Sequence, residues 1–182
     1  ICIAMKRLYI HEDVHDAICE EIAAVAREKR IGNGLEEGTE LGPLQNEKQY
    51  DRVRELIEDA AKAGTVIAGG NIPDGPGYFI EPTIIRDLKE GVRLVDEEQF
   101  GPALPILSFS DADEAIDRIN QSQEGLGGSV WGSDLAEATR LAGRMEAGTV
   151  WVNKHGELDP RIPFGGAKQS GIGTELGRDG VE

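Results

Sequence analysis

The chain has 182 residues, with 34 acidic and 19 basic side chains and a formal net charge of −15. That balance argues against nucleic acid and anionic membranes as partners, because phosphate binding needs clustered Lys and Arg. Hydrophobic residues make up 39% and aromatics 5%, so a mostly aliphatic core is expected; no apolar run approaches the roughly 20 residues of a membrane span.

The chain opens without Met, on Cys2 between Ile1 and Ile3. This opening reads as a C-terminal piece of a longer protein, cut beside its most reactive residue. Residues 3–10 read as a strand and residues 12–30 as an amphipathic helix, with Val14, Ile18, Ile22 and Val25 at three-to-four spacing. Gly32 and Gly34 end that helix. A glycine-rich loop from Gly38 to Pro43 leads to a second helix over 46–63, whose Tyr50, Val53, Leu56, Ile57 and Ala60 share one face and which stops at Gly64. Thr65–Ala68 is a short strand, and residues 71–77 form a Pro/Gly turn. Tyr78 to Asp87 is extended, with Pro82 pointing to an edge strand. Ala103 to Phe109 is an apolar strand, after which Ser110 caps a helix over 111–121. A strand over 128–132, a helix over 135–146 ended by Gly148, and a strand from Thr149 to Asn153 follow. The long loop 154–171 carries Pro160, Pro163, Gly165, Gly166 and Gly171, and the tail from Thr174 reads as an element cut short. Strands alternating with helices imply one α/β domain over residues 1–182, a mostly parallel sheet with helices on both faces.

Three stretches can carry chemistry. Cys2 is either a structural thiol or a nucleophile, which would need a depressed pKa or a nearby base. The second cysteine, Cys19, falls on the inner face of the first helix, where a buried free thiol is the common case. One disulfide between the two is formally open, but a reducing cytoplasm is the default. With no CxxC pair and no His cluster, a structural zinc site is not expected, nor any other metal. Glu97-Glu98-Gln99-Phe100-Gly101-Pro102 is either a solvated charge pair or a carboxylate and a ring that hold a ribose and a nicotinamide. Pro163-Phe164-Gly165-Gly166-Ala167-Lys168-Gln169-Ser170-Gly171 matches neither phosphate-binding glycine pattern, so a structural loop is the simpler reading.

Ile-Cys-Ile-Ala at 1–4, Gly42-Pro43-Leu44, Glu81-Pro82-Thr83, Glu98 to Pro102, Gly148-Thr149-Val150-Trp151-Val152-Asn153 and the 163–171 loop stand in one order along the chain. Together they resemble the NAD(P)-dependent aldehyde dehydrogenase superfamily, over essentially the whole chain, from its catalytic cysteine through the end of its catalytic domain. The resemblance implies that Cys2 attacks an aldehyde to form a thiohemiacetal, which loses hydride to the nicotinamide and leaves a thioester for water to hydrolyse. It implies that Glu98 holds the nicotinamide-side ribose, that Phe100 packs near the nicotinamide, and that Asn153 organises the site wall. Ile1, Ile3, His155 and Leu158, with Ile162, would line the aldehyde tunnel, and the 163–171 loop would support the site without touching phosphate. The family's general-base glutamate, its oxyanion-hole asparagine and its dinucleotide-binding domain have no counterpart in these residues. The choice of NAD or NADP is therefore not legible, and the separate chain is expected to be inactive. Family members pair as dimers or tetramers, which implies a homo-oligomeric parent acting on a small-molecule aldehyde, with no nucleic acid or membrane as partner. Two rivals stand beside this reading: a CoA-acylating semialdehyde dehydrogenase, and a non-enzymatic binding module on the same fold.

Overall fold

The computed structural model describes residues 2–73 and 75–180. The chain divides into two compact units, one of Met5–Ser110 and one that joins Ile1–Ala4 to Asp111–Glu182.

In the first unit, β1 (Leu8–His11) is followed by a 3-10 turn (Glu12–Val14), α1 (His15–Glu28), α2 (Glu47–Ala60), β2 (Thr65–Ala68), β3 (Thr83–Arg86), α3 (Arg93–Asp96) and β4 (Ala103–Phe109). The four strands form one sheet in the order β1-β4-β3-β2, parallel except for the β2–β3 pair. Side chains alternate across a strand, and β4 shows the result. Ala103 and Leu107 join Val53, Leu56, Ile57, Ala60, Leu94 and Val95 of α2 and α3 on one face. Leu104 and Ile106 join Cys19, Ala23 and Ala26 of α1 on the other. Helices thus cover both faces of a mostly parallel sheet.

Several boundaries differ from the sequence pattern. β1 covers residues 8–11, not 3–10. β3 is internal, between β2 and β4; Pro82 ends just before the ladder, whose first residue is Thr83, so its missing N–H costs the sheet nothing. The helix after β4 is capped by Asp111, not Ser110: its carboxylate accepts from the Asp113 and Glu114 amides at 2.8 and 3.0 Å. The phase of α1 also shifts. Its buried residues are His15, Cys19, Ala23 and Ala26, while Val14, Ile18 and Val25 are 46%, 37% and 54% exposed. Small side chains let the helix sit close to the sheet, so Val14, Ile18 and Val25 of the bulkier stripe one position earlier face outward, while Ile22 packs half-buried against the core. Arg86, on β3, donates to Asp16 at 2.5 Å and to His15 Nδ1 at 3.2 Å, which turns Nε2 toward Cys19 Sγ at 3.8 Å. Burial pushes the Cys19 thiol up.

The second unit carries α4 (Ala112–Asn120), β5 (Glu124–Gly125), β6 (Gly127–Val130), α5 (Leu135–Ala142), β7 (Thr149–Val152), β8 (Phe164–Gly165), β9 (Ala167–Lys168) and β10 (Thr174–Glu175). β6 and β7 pair in parallel, with Ser129 opposite Trp151. The long 154–171 loop is stitched by two-residue antiparallel ladders, β8 to β10 and β9 to β5. α5 ends at Gly143, five residues before the stop expected at Gly148.

Candidate active site

The segment 2–4 and the loop after β7 lie in the same unit. Cys2 is exposed and Ile3 half-buried. Both cysteines are free thiols, which closes the possibility of a disulfide between them. The Ile3 carbonyl accepts a hydrogen bond from His155 Nε2 at 2.7 Å. His155 Nδ1 lies 3.2 Å from Ser129 Oγ, and the ring meets Trp151 edge-on at 5.1 Å. The Trp151 indole N–H in turn donates to the Glu157 carbonyl at 2.7 Å. Leu158, the next residue, is 43% exposed. Of the residues expected to face the aldehyde, Ile1 lies outside the described residues; Ile3 and His155 are brought together, and Leu158 follows three positions on.

Asn153 closes β7 in the left-handed region at φ 53°, a conformation that Asn tolerates better than most residues. Its side-chain oxygen accepts from the Gly132 amide at 2.8 Å and its amide group donates to the Gly132 carbonyl at 2.9 Å. The side chain therefore splices the end of β7 to the turn after β6. In the 163–171 loop, the groups that a phosphate would need are already engaged. The Lys168 ammonium donates to the carbonyls of Asn120 and Ser122 and pairs with Glu146 at 2.9 Å, and Ser170 Oγ accepts from the Gly125 amide at 2.7 Å.

Glu98 and Phe100 belong to the first unit, on the loop between α3 and β4. The two neighbouring acids of this loop differ in their engagement. Glu97 is held by Arg93 at 2.7 Å and by Arg52 at 3.3 Å, and Arg93 foremost keeps its carboxyl below the usual range. Glu98 is exposed; Arg52 bonds its backbone carbonyl at 3.1 and 3.2 Å, and among the described residues no hydrogen bond or ion pair occupies its carboxylate. Phe100 is 41% exposed. Both residues line an open cavity of about 350 Å³ with Gln45, Gln49, Arg52 and Gln99. A free carboxylate beside an exposed ring fits a sugar diol next to a flat heterocycle.

Sequence reasoning missed the residues that brace these positions. Lys6 donates to the Leu94 carbonyl and Arg7 to the Val95 carbonyl at 3.3 Å, so the segment entering β1 grips the end of α3, directly before the loop of Glu98. Burial lowers the Lys6 ammonium from 10.5 to about 8, with Arg7 adding to the effect and Asp96, Glu98 and Glu97 opposing it. Basic residues entering a strand carry no pattern by which such a role can be read. Among the described residues no helix is long and apolar enough to cross a membrane, and no group of His, Cys, Asp and Glu converges as metal ligands.

The family model described as "Aldehyde dehydrogenase family" matches residues 1–182. A mitochondrial aldehyde dehydrogenase of Leishmania tarentolae is 42% identical over 183 residues, covering 100% of this chain and 37% of the relative. A phenylacetaldehyde dehydrogenase of Pseudomonas fluorescens is 40% identical over 185 residues, with the same coverage of 100% and 37%. Among solved structures, an NAD+ complex of an aldehyde dehydrogenase from Bacillus cereus superposes with a TM-score of 0.92 at 37% identity, over 97% of this chain and 36% of that one. The chain thus spans about 37% of the length of the curated relatives it matches.

Proposed function

Because the chain belongs to the aldehyde dehydrogenase family, we propose that it supplies the nucleophile and the aldehyde-side wall of an enzyme that oxidises an aldehyde to a carboxylate with NAD or NADP. The observation that carries this reading is the contrast between the two thiols: Cys19 is buried in the core, whereas Cys2 is free and exposed.

In this reading the Cys2 thiolate forms a carbon–sulfur bond to the carbonyl carbon, and the carbonyl oxygen becomes an oxyanion that the Cys2 backbone N–H stabilises. Glu98 would hold the nicotinamide-side ribose through its carboxylate and Phe100 would pack near the nicotinamide, which when bound would supply the hydride acceptor. Loss of hydride leaves a thioester on Cys2. Water then breaks its carbon–sulfur bond, releasing the carboxylate and restoring the thiol. Ile3, His155 and Leu158 supply the wall beside the reacting carbon, and we read both compact units as parts of one catalytic domain. Two free cysteines suit a reducing compartment, the cytoplasm by default, although the Leishmania relative is named as mitochondrial. A homo-oligomer is the expected assembly.

The test is NAD(P)H formation from an aldehyde by the full gene product. Cys2→Ala is expected to lower the rate by about 10³-fold or more, the scale on which loss of a nucleophile registers. The 182-residue chain alone is expected to form no NAD(P)H. A Cys2→Ala protein that keeps its rate would overturn the assignment.

A further inference from the structure

The hydrogen bonds around His155 place a proton on one of its ring nitrogens. The Ile3 carbonyl, 2.7 Å from Nε2, has no hydrogen to give, so Nε2 carries the proton. The Trp131 indole, a donor only, lies 3.1 Å from Ser129 Oγ and fills one of its acceptor positions. The Ser129 hydroxyl hydrogen is then free to point at His155 Nδ1, 3.2 Å away. The chain runs from the Trp131 N–H to the Ser129 oxygen, from the Ser129 hydroxyl to Nδ1, and from Nε2–H to the Ile3 carbonyl, with every donor matched to an acceptor. The ring that ends it is braced from the side by Trp151 at 5.1 Å. Ser129 and Trp151 are register partners across β6 and β7, so the ring is mounted on paired strands. The other end of the bond, Ile3, is 152 residues away in sequence and directly follows Cys2.

We propose that His155 is a positioning residue for the nucleophile: held as the Nε2–H form by Ser129, it fixes the Ile3 carbonyl and with it the backbone that carries Cys2. The inference rests on the reading of Cys2 as nucleophile. Both ring nitrogens are committed, which leaves His155 no free site for a base's work. A thiolate misplaced by about 1 Å loses on the order of 10²-fold in rate, so the anchor acts on the chemical step more than on substrate binding.

Three variants of the full gene product separate the roles. His155→Phe keeps a ring of similar bulk and removes the donor; it is expected to lower kcat at least tenfold and to change KM for the aldehyde less than twofold. His155→Gln restores an N–H donor and is expected to recover most of that loss. Ser129→Ala removes only the hydroxyl that selects the tautomer and is expected to lower kcat severalfold. A wild-type kcat in His155→Phe, or a raised KM at unchanged kcat, overturns the proposal and leaves His155 as tunnel wall alone. Loss of the parent reading shows separately, as activity that survives Cys2→Ala. Should His155→Phe fail to fold, long-range ¹H–¹⁵N spectra of the unsubstituted chain decide: a neutral His155 ring protonated at Nε2 supports the anchor, and one protonated at Nδ1 or exchanging between the two overturns it.

Discussion

Gly148→Ala is expected to destabilise the protein by about 3 kcal/mol or more, at the upper end of what overpacking costs. Gly148 directly precedes β7, and its amide donates to the Gly125 carbonyl at 2.9 Å. A Cβ at this position would fall on the carbonyl oxygen of Gly165, with the Gly165 carbonyl carbon at 2.7 Å and Gly166 Cα at 3.2 Å. All three obstacles are backbone, so no rotamer change relieves the clash; either β7 leaves β6 or the 163–166 backbone leaves its ladder with β10. Gly148 is thereby explained: it is small because the Gly165-Gly166 backbone meets it, whereas a Cβ added at Gly166 would meet Ser170. Gly143→Ala supplies the control. There an added Cβ would meet carbonyl oxygens at 3.5 and 3.6 Å, ordinary contact, at a helical φ of −66°. That substitution is expected to be neutral or to stabilise by a few tenths of a kcal/mol to about 1 kcal/mol through the unfolded chain. Urea midpoints of the two variants against the parent make the comparison. A Gly148→Ala midpoint equal to that of Gly143→Ala would mean that the β7 and β8 backbones do not approach as described.

The apolar run of β4 and the three-to-four spacing in α2 were legible because bulk and burial coincide there: Val53, Leu56, Ile57 and Ala60 are the buried face. In α1 they part company. Both Val14-Ile18-Ile22-Val25 and His15-Cys19-Ala23-Ala26 have helical spacing, and a hydrophobicity pattern favours the heavier set, whereas close packing on the sheet selects the lighter one. Pro82 misled for a related reason: proline disfavours the interior of a ladder, but one residue before Thr83 it stands outside the ladder. Boundaries at Ser110 and Asp111 turn on which of two adjacent oxygens reaches the amides, a matter of one dihedral angle that no local pattern encodes.

At the candidate site the motifs single out Cys2, Glu98 and Phe100 as candidates, and physical reading of the residues alone leaves Cys2 and the Glu97-Glu98 pair each beside a structural alternative. The structure separates the two acids of this loop. Glu97 and Glu98 are equivalent as letters, but Arg93 and Arg52 occupy the first carboxylate and leave the second available. Ser129, Lys6 and Arg7 could not be found from sequence, because their partners are backbone carbonyls or a side chain at long range, and a hydrogen bond to a carbonyl selects no particular residue type at the other end.

Protein stability is expected to rise with pH between about 8 and 10.5 through Lys6, and Lys6→Met is expected to abolish that rise. The folded protein gives up the Lys6 proton near pH 8, whereas the unfolded chain keeps it to about 10.5. Between those values the unfolded state binds more protons, so the unfolding free energy increases with pH, by at most about 1.4 kcal/mol per pH unit. Below pH 8 Lys6 is charged in both states and contributes no slope. The cause is burial against the end of α3, where the ammonium donates to the Leu94 carbonyl. Arg7 repels it, and the facing acids Asp96, Glu97 and Glu98 recover part of the cost. They recover only part, because Glu97 is shared between two arginines and Asp96 accepts from the Gly91 amide at 2.8 Å. Urea unfolding at pH 7 and pH 10 isolates the effect as a difference between parent and variant, in which the other titrating groups cancel. Moving from pH 7 to 10 is expected to shift that difference by about 2 kcal/mol in favour of the parent. A difference that does not change with pH would place the Lys6 ammonium in solvent, and the grip of this segment on the loop of Glu98 would then rest on Arg7 alone.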